Sequence, residues 1–254
     1  MDTGLRDRVA LVCASSRGIG RAAAEALAAE GAKLALCARD EPTLEATAAA
    51  LRATGAEVLA VAADLGKRED VDRVMRETLA RYGRLDVLIN NTGGPPPGRF
   101  EAHDDAAWQT AFETLLLSVV RLTRLAIPEM RARRWGRIIT VTSTSVKQPI
   151  ANLVLSNSLR AAVTGLAKTL SLELAADGIT VNTVAPGRIL TDRLLSLYGD
   201  EETTRRTAGQ GVPMGRVGEP ADMGNAILYL CSEQAGYVTG VTLQVDGGLI
   251  QGLY

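Results

Sequence analysis

The sequence has little of several residue types and patterns that would point to particular partners. It contains one histidine, His103, and only three cysteines, which show no CxxC spacing. No set of metal ligands is therefore evident, so we predict no metal site, a surface position for His103 and reduced thiols in the core. The net charge is −1, which gives no reason to expect nucleic acid or an anionic membrane surface as a partner.

The chain also lacks a long apolar run and a leader pattern. No apolar stretch approaches the roughly 20 residues that a membrane helix needs, and the segment Met1–Arg6 does not show the basic-then-apolar order of a signal peptide. We therefore expect a cytoplasmic protein. The 254 residues, 46% hydrophobic and 22% charged, have no low-complexity linker and no solenoid repeat, which favours one domain over residues 1–254.

Short runs rich in Val, Ile and Leu alternate with Ala-rich helical patterns, which is typical of a parallel sheet with helices on both faces. The predicted strands are Val9–Cys13, Lys33–Ala38, Glu57–Ala62, Asp86–Asn90, Arg137–Thr142, Thr180–Val184 and Thr242–Val245. The predicted helices are 18–30, 41–54, 67–82, 104–134, 153–176 and 219–232. The loop 93–98 and the polar segment 191–212 both follow strand ends, where open α/β sheets bind ligands.

A glycine-rich turn follows the first strand and precedes an Ala-rich helix. Within Ala14–Gly20, Gly18 and Gly20 allow the backbone and the helix N-terminus to approach a pyrophosphate, whose charge the helix dipole favours. The turn resembles the fingerprint of the short-chain dehydrogenase/reductase family, although Cys13 and Ala14 stand where that family has Thr and Gly.

Further motifs extend the resemblance over essentially the whole chain. They are Asp64, Asn90-Asn91-Thr92-Gly93, Pro186-Gly187-Arg188-Ile189-Leu190-Thr191, Arg216-Val217-Gly218-Glu219-Pro220 and Val245-Asp246-Gly247-Gly248. Within that family the chain resembles the 3-oxoacyl-ACP reductases. The resemblance implies a single doubly wound Rossmann domain whose seven parallel strands lie in the order 3-2-1-4-5-6-7. It also implies the nicotinamide-cofactor ligands Ser15, Ser16, Arg17, Gly18, Ile19, Gly20, Arg39, Asp64, Leu65, Asn91, Gly93, Arg160, Pro186, Gly187, Ile189 and Thr191.

The end of the second strand favours NADP(H) over NAD(H). Family members that prefer NAD carry an acidic residue there, whereas this chain has Ala38, followed by Arg39. Arg39 and Arg17 of the glycine turn are predicted to hold the 2′-phosphate through charge-assisted, bidentate bonds.

The predicted catalytic centre departs from the family pattern. The family works with an Asn, a Ser, a Tyr and, four residues after the Tyr, a Lys. Here Ser143 matches the Ser, but Leu115, Ser156 and Arg160 occupy the other three positions. A Ser hydroxyl is a poor proton donor compared with a phenol, and Arg keeps its proton and cannot relay it.

These replacements weaken proton transfer more than they weaken hydride transfer. A positioned general acid raises the reaction rate by about 10²–10⁴-fold. Holding the hydride donor and acceptor in register lowers the reaction barrier by about 7–11 kcal/mol, which is the larger effect. Ser143 and Ser156 can act as an oxyanion-binding pair with water as the proton source. Lys147 in the next loop is a further candidate acid, Tyr198 is a weaker one, and an activated substrate such as an iminium needs no acid at all.

The sequence therefore predicts an NADPH-dependent oxidoreductase that reduces a carbonyl or imine of a small molecule, with Ser143, Ser156, Arg160 and Lys147 at the centre. The alternative is an inactive NADP(H)-binding regulatory or partner-binding module. Helices 104–134 and 153–176 resemble the association helices of the family, so we expect a homo-oligomer, either a tetramer or a dimer.

Overall fold

The computed structural model describes residues 2–253, which contain one seven-stranded sheet in the order β3-β2-β1-β4-β5-β6-β7. All six strand pairs are parallel. The strands are β1 Val9–Cys13, β2 Lys33–Ala38, β3 Val58–Ala62, β4 Val87–Asn90, β5 Gly136–Val141, β6 Ile179–Pro186 and β7 Thr242–Val245. The helices are α1 Gly18–Ala29, α2 Glu41–Ala53, α3 Arg68–Tyr82, α4 Asp105–Phe112, α5 Ser118–Arg133, α6 Val154–Leu174, α7 Asp192–Tyr198, α8 Glu201–Gly209 and α9 Pro220–Cys231. The predicted fold class and strand order are confirmed.

The helices cover both faces of the sheet, which explains why the central strands are buried without a polar side. Successive residues of β1 point to opposite faces, so that Val12 packs with α1, α2 and α9, whereas Leu11 packs with α3, α5 and α6. The result is a three-layer doubly wound arrangement. The strand order reverses between β1 and β4, and a crevice therefore opens at the carboxyl end of these strands.

A buried carboxylate fixes the start of β1 against β4. Asp86 is fully buried, and its Oδ2 accepts from the backbone N–H of Val9 at 2.8 Å. The Arg84 guanidinium donates two further bonds to Asp86, at 2.8 and 2.6 Å. This ion pair sets the register of the two strands between which the crevice opens.

Three sequence-based expectations need adjustment. The polar segment 191–212 contains two short helices, α7 and α8, each too short to show apolar periodicity in the sequence. Asp200 caps α8 by accepting from Thr203 N. The predicted helix 104–134 is helical, but a π turn over Glu113–Leu117 separates α4 from α5. The surface position predicted for His103 is wrong, because this histidine is half-buried and its ring nitrogen Nε2 is buried beside Gly98.

The three cysteines are buried in the core, as predicted, and within the described chain none forms a disulfide. Cys13 and Cys37 lie opposite each other on β1 and β2, and their hydrogen bond, with burial, raises the pKa of Cys13. Between residues 2 and 253, none of the helices combines the length and apolar character needed to cross a bilayer.

Candidate active site

A cleft of about 1500 Å³ lies along the carboxyl edge of the sheet. The ends of β1 to β6, the loop after β4 and helix α7 contribute to its walls. Most of the predicted cofactor residues line it, and these are Ser16, Arg17, Gly18, Ile19, Arg39, Asp64, Leu65, Asn91, Gly93, Arg160, Pro186, Gly187, Ile189 and Thr191. The sequence-based set is thus brought together on one surface.

Ser15 and Gly20 lie beneath that surface rather than on it. Ser15 is fully buried and its hydroxyl donates to Cys37 O at 3.4 Å. A Cβ added at Gly20 would stand 2.2 Å from Ala14 O, so the close approach of helix and turn requires glycine there. These two residues shape the turn, whereas Ser16, Arg17 and Ile19 face the cleft.

The N-terminus of α1 fits a pyrophosphate. The helix begins at Gly18, whose φ is +57°, and among the described residues no side chain caps its first turn. A Cβ on Gly18 would approach Thr191 Cγ2 to 3.2 Å, which shows how closely the segment after β6 covers the turn. The uncapped N–H groups and the helix dipole favour an anion at this position.

The end of β2 offers one free guanidinium for a 2′-phosphate. Arg39 is exposed at the cleft and, within residues 2–253, has no carboxylate within 4 Å. Arg17 instead forms an ion pair with Asp192 of α7 at 2.8 Å and lies 3.9 Å from Asp40. Asp192 raises the pKa of Arg17. Arg17 therefore ties the glycine turn to α7, and its charge is shared between these carboxylates and any phosphate.

Two polar residues form a buried pair on one face of α6. Ser156 and Arg160 are four residues apart, one helical turn, and are only 6% and 9% exposed. The Nε–H of Arg160 donates to Ser156 Oγ at 3.2 Å, and its Nη1 donates to Val141 O at 2.9 Å. Because Ser156 Oγ accepts from the guanidinium, its own O–H remains available to donate into the cleft.

Ser143 completes the predicted oxygen-binding pair. It follows β5 and lines the same cleft as Ser156, and its Oγ accepts from Ser145 N at 3.1 Å. Like Ser156, it therefore retains its hydroxyl hydrogen for a ligand. Two hydroxyl donors beside a guanidinium can stabilise negative charge that develops on a substrate oxygen.

Arg160 carries its charge into the interior without a counter-ion. Among the residues that the structure describes, none places a carboxylate within 4 Å of its guanidinium. Burial, together with the neighbouring charge of Arg193, lowers the pKa of Arg160 to about 10. It is therefore still protonated at neutral pH, and the field at this end of the cleft is positive.

Leu115 contributes an apolar side chain to the wall of the cleft. It lies in the π turn, is 3% exposed and packs against Leu155 and Leu159 of α6. A cavity of about 10 Å³ lies between this leucine, Asn90 and Arg160. The side chain at this position thus offers no hydrogen-bonding group to the cleft.

Lys147 and Tyr198 differ in their placement. Lys147 is exposed and, in the described chain, does not line the cleft, whereas Tyr198 does. Sequence reasoning missed Arg193, which lines the cleft and donates from Nη2 to Pro95 O at 3.2 Å. In the sequence, Arg193 is only one cation within the segment 191–212, which was interpreted as a polar loop.

Comparisons with known proteins agree with this geometry. Residues 13–250 match a protein-family model described as enoyl-(acyl carrier protein) reductase. The chain is 37% identical over 242 residues to the 3-oxoacyl-(acyl-carrier-protein) reductase FabG of Escherichia coli (strain K12), covering 95% of this chain and 97% of that protein. It is 36% identical over 246 residues to nodulation protein G of Azospirillum brasilense, covering 96% and 99%.

Solved structures show the same relationship. L-sorbose reductase from Gluconobacter frateurii, complexed with NADPH and L-sorbose, superposes with a TM-score of 0.95 at 35% identity and full coverage of both chains. YwfH, an NADPH-dependent reductase involved in bacilysin biosynthesis, has a TM-score of 0.92 at 29% identity, covering 97% of this chain and 100% of its own. With matched relatives over nearly its whole length, this chain belongs to the short-chain dehydrogenase/reductase family.

Proposed function

We propose that the protein is an NADPH-dependent reductase that delivers a hydride to the carbon of a carbonyl or imine, with Ser143, Ser156 and Arg160 in place of the usual catalytic set. The observation that carries this proposal is the buried Arg160–Ser156 hydrogen bond at the cleft, beside a glycine turn shaped for a dinucleotide.

The cofactor residues fit NADPH. The turn at Gly18 and the α1 N-terminus hold the pyrophosphate, Arg39 holds the 2′-phosphate, and Ile189 and Thr191 hold the nicotinamide end. When bound there, NADPH supplies the hydride. Relatives whose solved structures contain NADPH support this choice.

The two serines bind the substrate oxygen, and Arg160 stabilises the charge that develops on it. Removing one preorganised oxyanion donor typically lowers kcat about 10²–10³-fold. Neither serine is acidic enough to be an efficient proton donor, so water entering the cleft supplies the proton, and ordinary ketones are reduced slowly. Iminium substrates avoid this step because they need only the hydride.

The test is NADPH binding followed by substrate-dependent NADPH oxidation across a panel of ketones and imines. We expect NADPH to bind more tightly than NADH, and Arg39→Gln to weaken NADPH binding about tenfold or more without affecting NADH. Ser156→Ala is expected to lower kcat about 10²-fold. NADPH binding with no turnover of any panel member would contradict the proposal.

The alternative is an NADP(H)-binding regulatory or partner-binding module without catalysis. It is favoured by Leu115, Ser156 and Arg160, which replace three members of the family's catalytic set. The double variant Ser156→Tyr, Arg160→Lys separates the two functions. Activity that appears only in the double variant would favour the module.

We further propose a cytoplasmic homo-oligomer in which each chain is one domain. The outward face of α6 supports association, because Ala161, Ala162 and Leu172 are exposed on it, Leu172 by 74%, and a Cβ on Gly165 would meet nothing. Light scattering at micromolar concentration is expected to give the mass of a dimer or tetramer. A monomer mass would refute this proposal.

A further inference from the structure

The substrate end of the cleft carries two positive charges that no carboxylate balances. One is Arg160, described above. The other is Arg193, in the first half of α7, which also has no carboxylate within 4 Å in the part of the chain that the structure describes. Both guanidinium groups line the same cleft, and the charge of Arg193 contributes to the lowered pKa of Arg160.

Backbone contacts hold Arg193 in place over the cleft. Its Nη2 donates to Pro95 O at 3.2 Å, and its Nε would lie 3.4 Å from a Cβ on Gly94. The side chain therefore spans from the segment after β6 to the loop after β4. One of its five N–H donors is used, which leaves the others for a ligand.

The nearest acidic side chain in sequence is not available to neutralise this site. Asp192 precedes Arg193 directly, but its Oδ2 pairs with Arg17 at 2.8 Å on the glycine turn. Asp192 thus contacts the glycine turn, whereas Arg193 contacts the loop after β4. Arg160 is buried, so its unbalanced charge is costly unless an anion reaches it when the site is occupied, and Arg193 adds an exposed guanidinium to the same cleft.

The proposed function assigns the cofactor phosphates to the turn at Gly18 and to Arg39, so the anion considered for Arg193 and Arg160 is a group of the substrate. The cleft is also lined by apolar side chains, among them Ile150, Leu153 and Leu197. An occupant with one charged group and an apolar body would match both features.

We propose that the substrate carries an oxyanion, a carboxylate or a phosphate ester, which Arg193 binds together with Arg160 beside the reacting carbon. The inference rests on the proposed reductase function, since it names the substrate class of that site. Arg guanidinium groups bind both anions through bidentate, charge-assisted bonds.

The test compares charged and neutral carbonyl probes of the same shape. NADPH oxidation is measured with levulinate against methyl levulinate, and with dihydroxyacetone phosphate against dihydroxyacetone, in the wild type, Arg193→Gln, Arg193→Lys and Arg206→Gln. Arg206 is the matched control, since it is an exposed Arg of α8 in the same segment that does not line the cleft. A parallel titration measures the binding of valerate and valeramide to the protein saturated with NADP⁺.

We expect KM to be about tenfold or more lower for an anionic probe than for its neutral partner. Arg193→Gln should abolish the preference, Arg193→Lys should restore part of it, and Arg206→Gln should leave it intact. The dissociation constant of NADPH should be the same in all four proteins. Whether levulinate or dihydroxyacetone phosphate shows the preference identifies the anion.

Failure of this inference differs from failure of the reductase proposal. Equal use of charged and neutral probes, or an equal response to Arg193→Gln and Arg206→Gln, overturns the inference and leaves reduction intact. A loss of NADPH affinity in Arg193→Gln also overturns it. If valerate binds in a manner that depends on Arg193 but no probe is reduced, the anion site is supported and the reductase proposal is contradicted. If no probe is reduced and valerate does not bind, both proposals are overturned.

Discussion

Within the cofactor turn, Ala14 has the least favourable backbone conformation for a residue that carries a side chain. Its φ is +47°, in the left-handed region, where the family fingerprint has Gly. The left-handed conformation costs an L-residue about 1–2 kcal/mol. Ala14→Gly removes that strain but gives the unfolded chain more freedom, which costs about 0.4–1 kcal/mol. We therefore expect Ala14→Gly to raise the free energy of unfolding by about 0.5–1 kcal/mol.

A matched control isolates the backbone strain. Ala49→Gly makes the same chemical change on the exposed side of α2, where the backbone is already helical. It is expected to lower the free energy of unfolding by about 1 kcal/mol. Because both variants change the unfolded chain alike, the difference of nearly 2 kcal/mol between them reports the conformation of Ala14.

The assay is urea unfolding followed by circular dichroism, with thermal unfolding as a second measurement. For a chain of this size 1 kcal/mol corresponds to about 2–4 °C in Tm, so Ala14→Gly should melt a few degrees above Ala49→Gly. NADPH affinity should be retained, because the shape of the turn is unchanged. Equal destabilisation by the two variants would refute the strained turn.

Three further predictions concern the turn, the sheet and the buried cation. Gly20→Ala places a Cβ 2.2 Å from Ala14 O, a backbone atom that cannot move aside, so it should destabilise the fold by about 1–3 kcal/mol and greatly weaken NADPH binding by calorimetry; unchanged affinity would contradict the packing described. Asp86→Ala leaves the buried end of β1 and the Arg84 guanidinium without their partner and should lower the free energy of unfolding by about 3 kcal/mol in urea, whereas a neutral effect would show that the pair is dispensable. The positive charge of Arg160 is present below its pKa of about 10 and is lost above it, so binding of valerate to the NADP⁺ complex should weaken as the pH rises through 10, and a flat profile across that range would contradict its part in anion binding.

The sign of the linked stability follows from the same pKa. Burial lowers the pKa of Arg160 in the folded protein below the ordinary value of an arginine, so the unfolded chain holds this proton more tightly. The cost of the buried charge is therefore fully present below about pH 10 and falls as the pH rises above that value. This contribution disfavours the free protein at neutral pH, and an anion bound beside the guanidinium would offset it.

The periodicity of the sequence was sufficient for the sheet. Runs such as Val9–Cys13 are apolar at every position because both faces of a parallel strand are covered, and this pattern needs no tertiary information. Short helices were harder to predict. Helix α7 spans only seven residues, which is too short a window for the apolar period of a helix to be recognised. Asp192–Tyr198 was therefore interpreted as part of a polar loop.

The sequence by itself determined the strand pattern and the glycine turn, and the family resemblance predicted that Ser156, Arg160 and Leu115 stand at the catalytic Tyr, Lys and Asn positions. The sequence also placed Ser156 and Arg160 one helical turn apart, because a spacing of four residues is local. Only the tertiary structure decided which charged groups come together: Arg17 pairs with Asp192, and Arg193 lines the same cleft as Arg160. Those pairs join segments about 30 to 175 residues apart, and their geometry depends on how loops pack over the sheet edge, which local propensity does not encode.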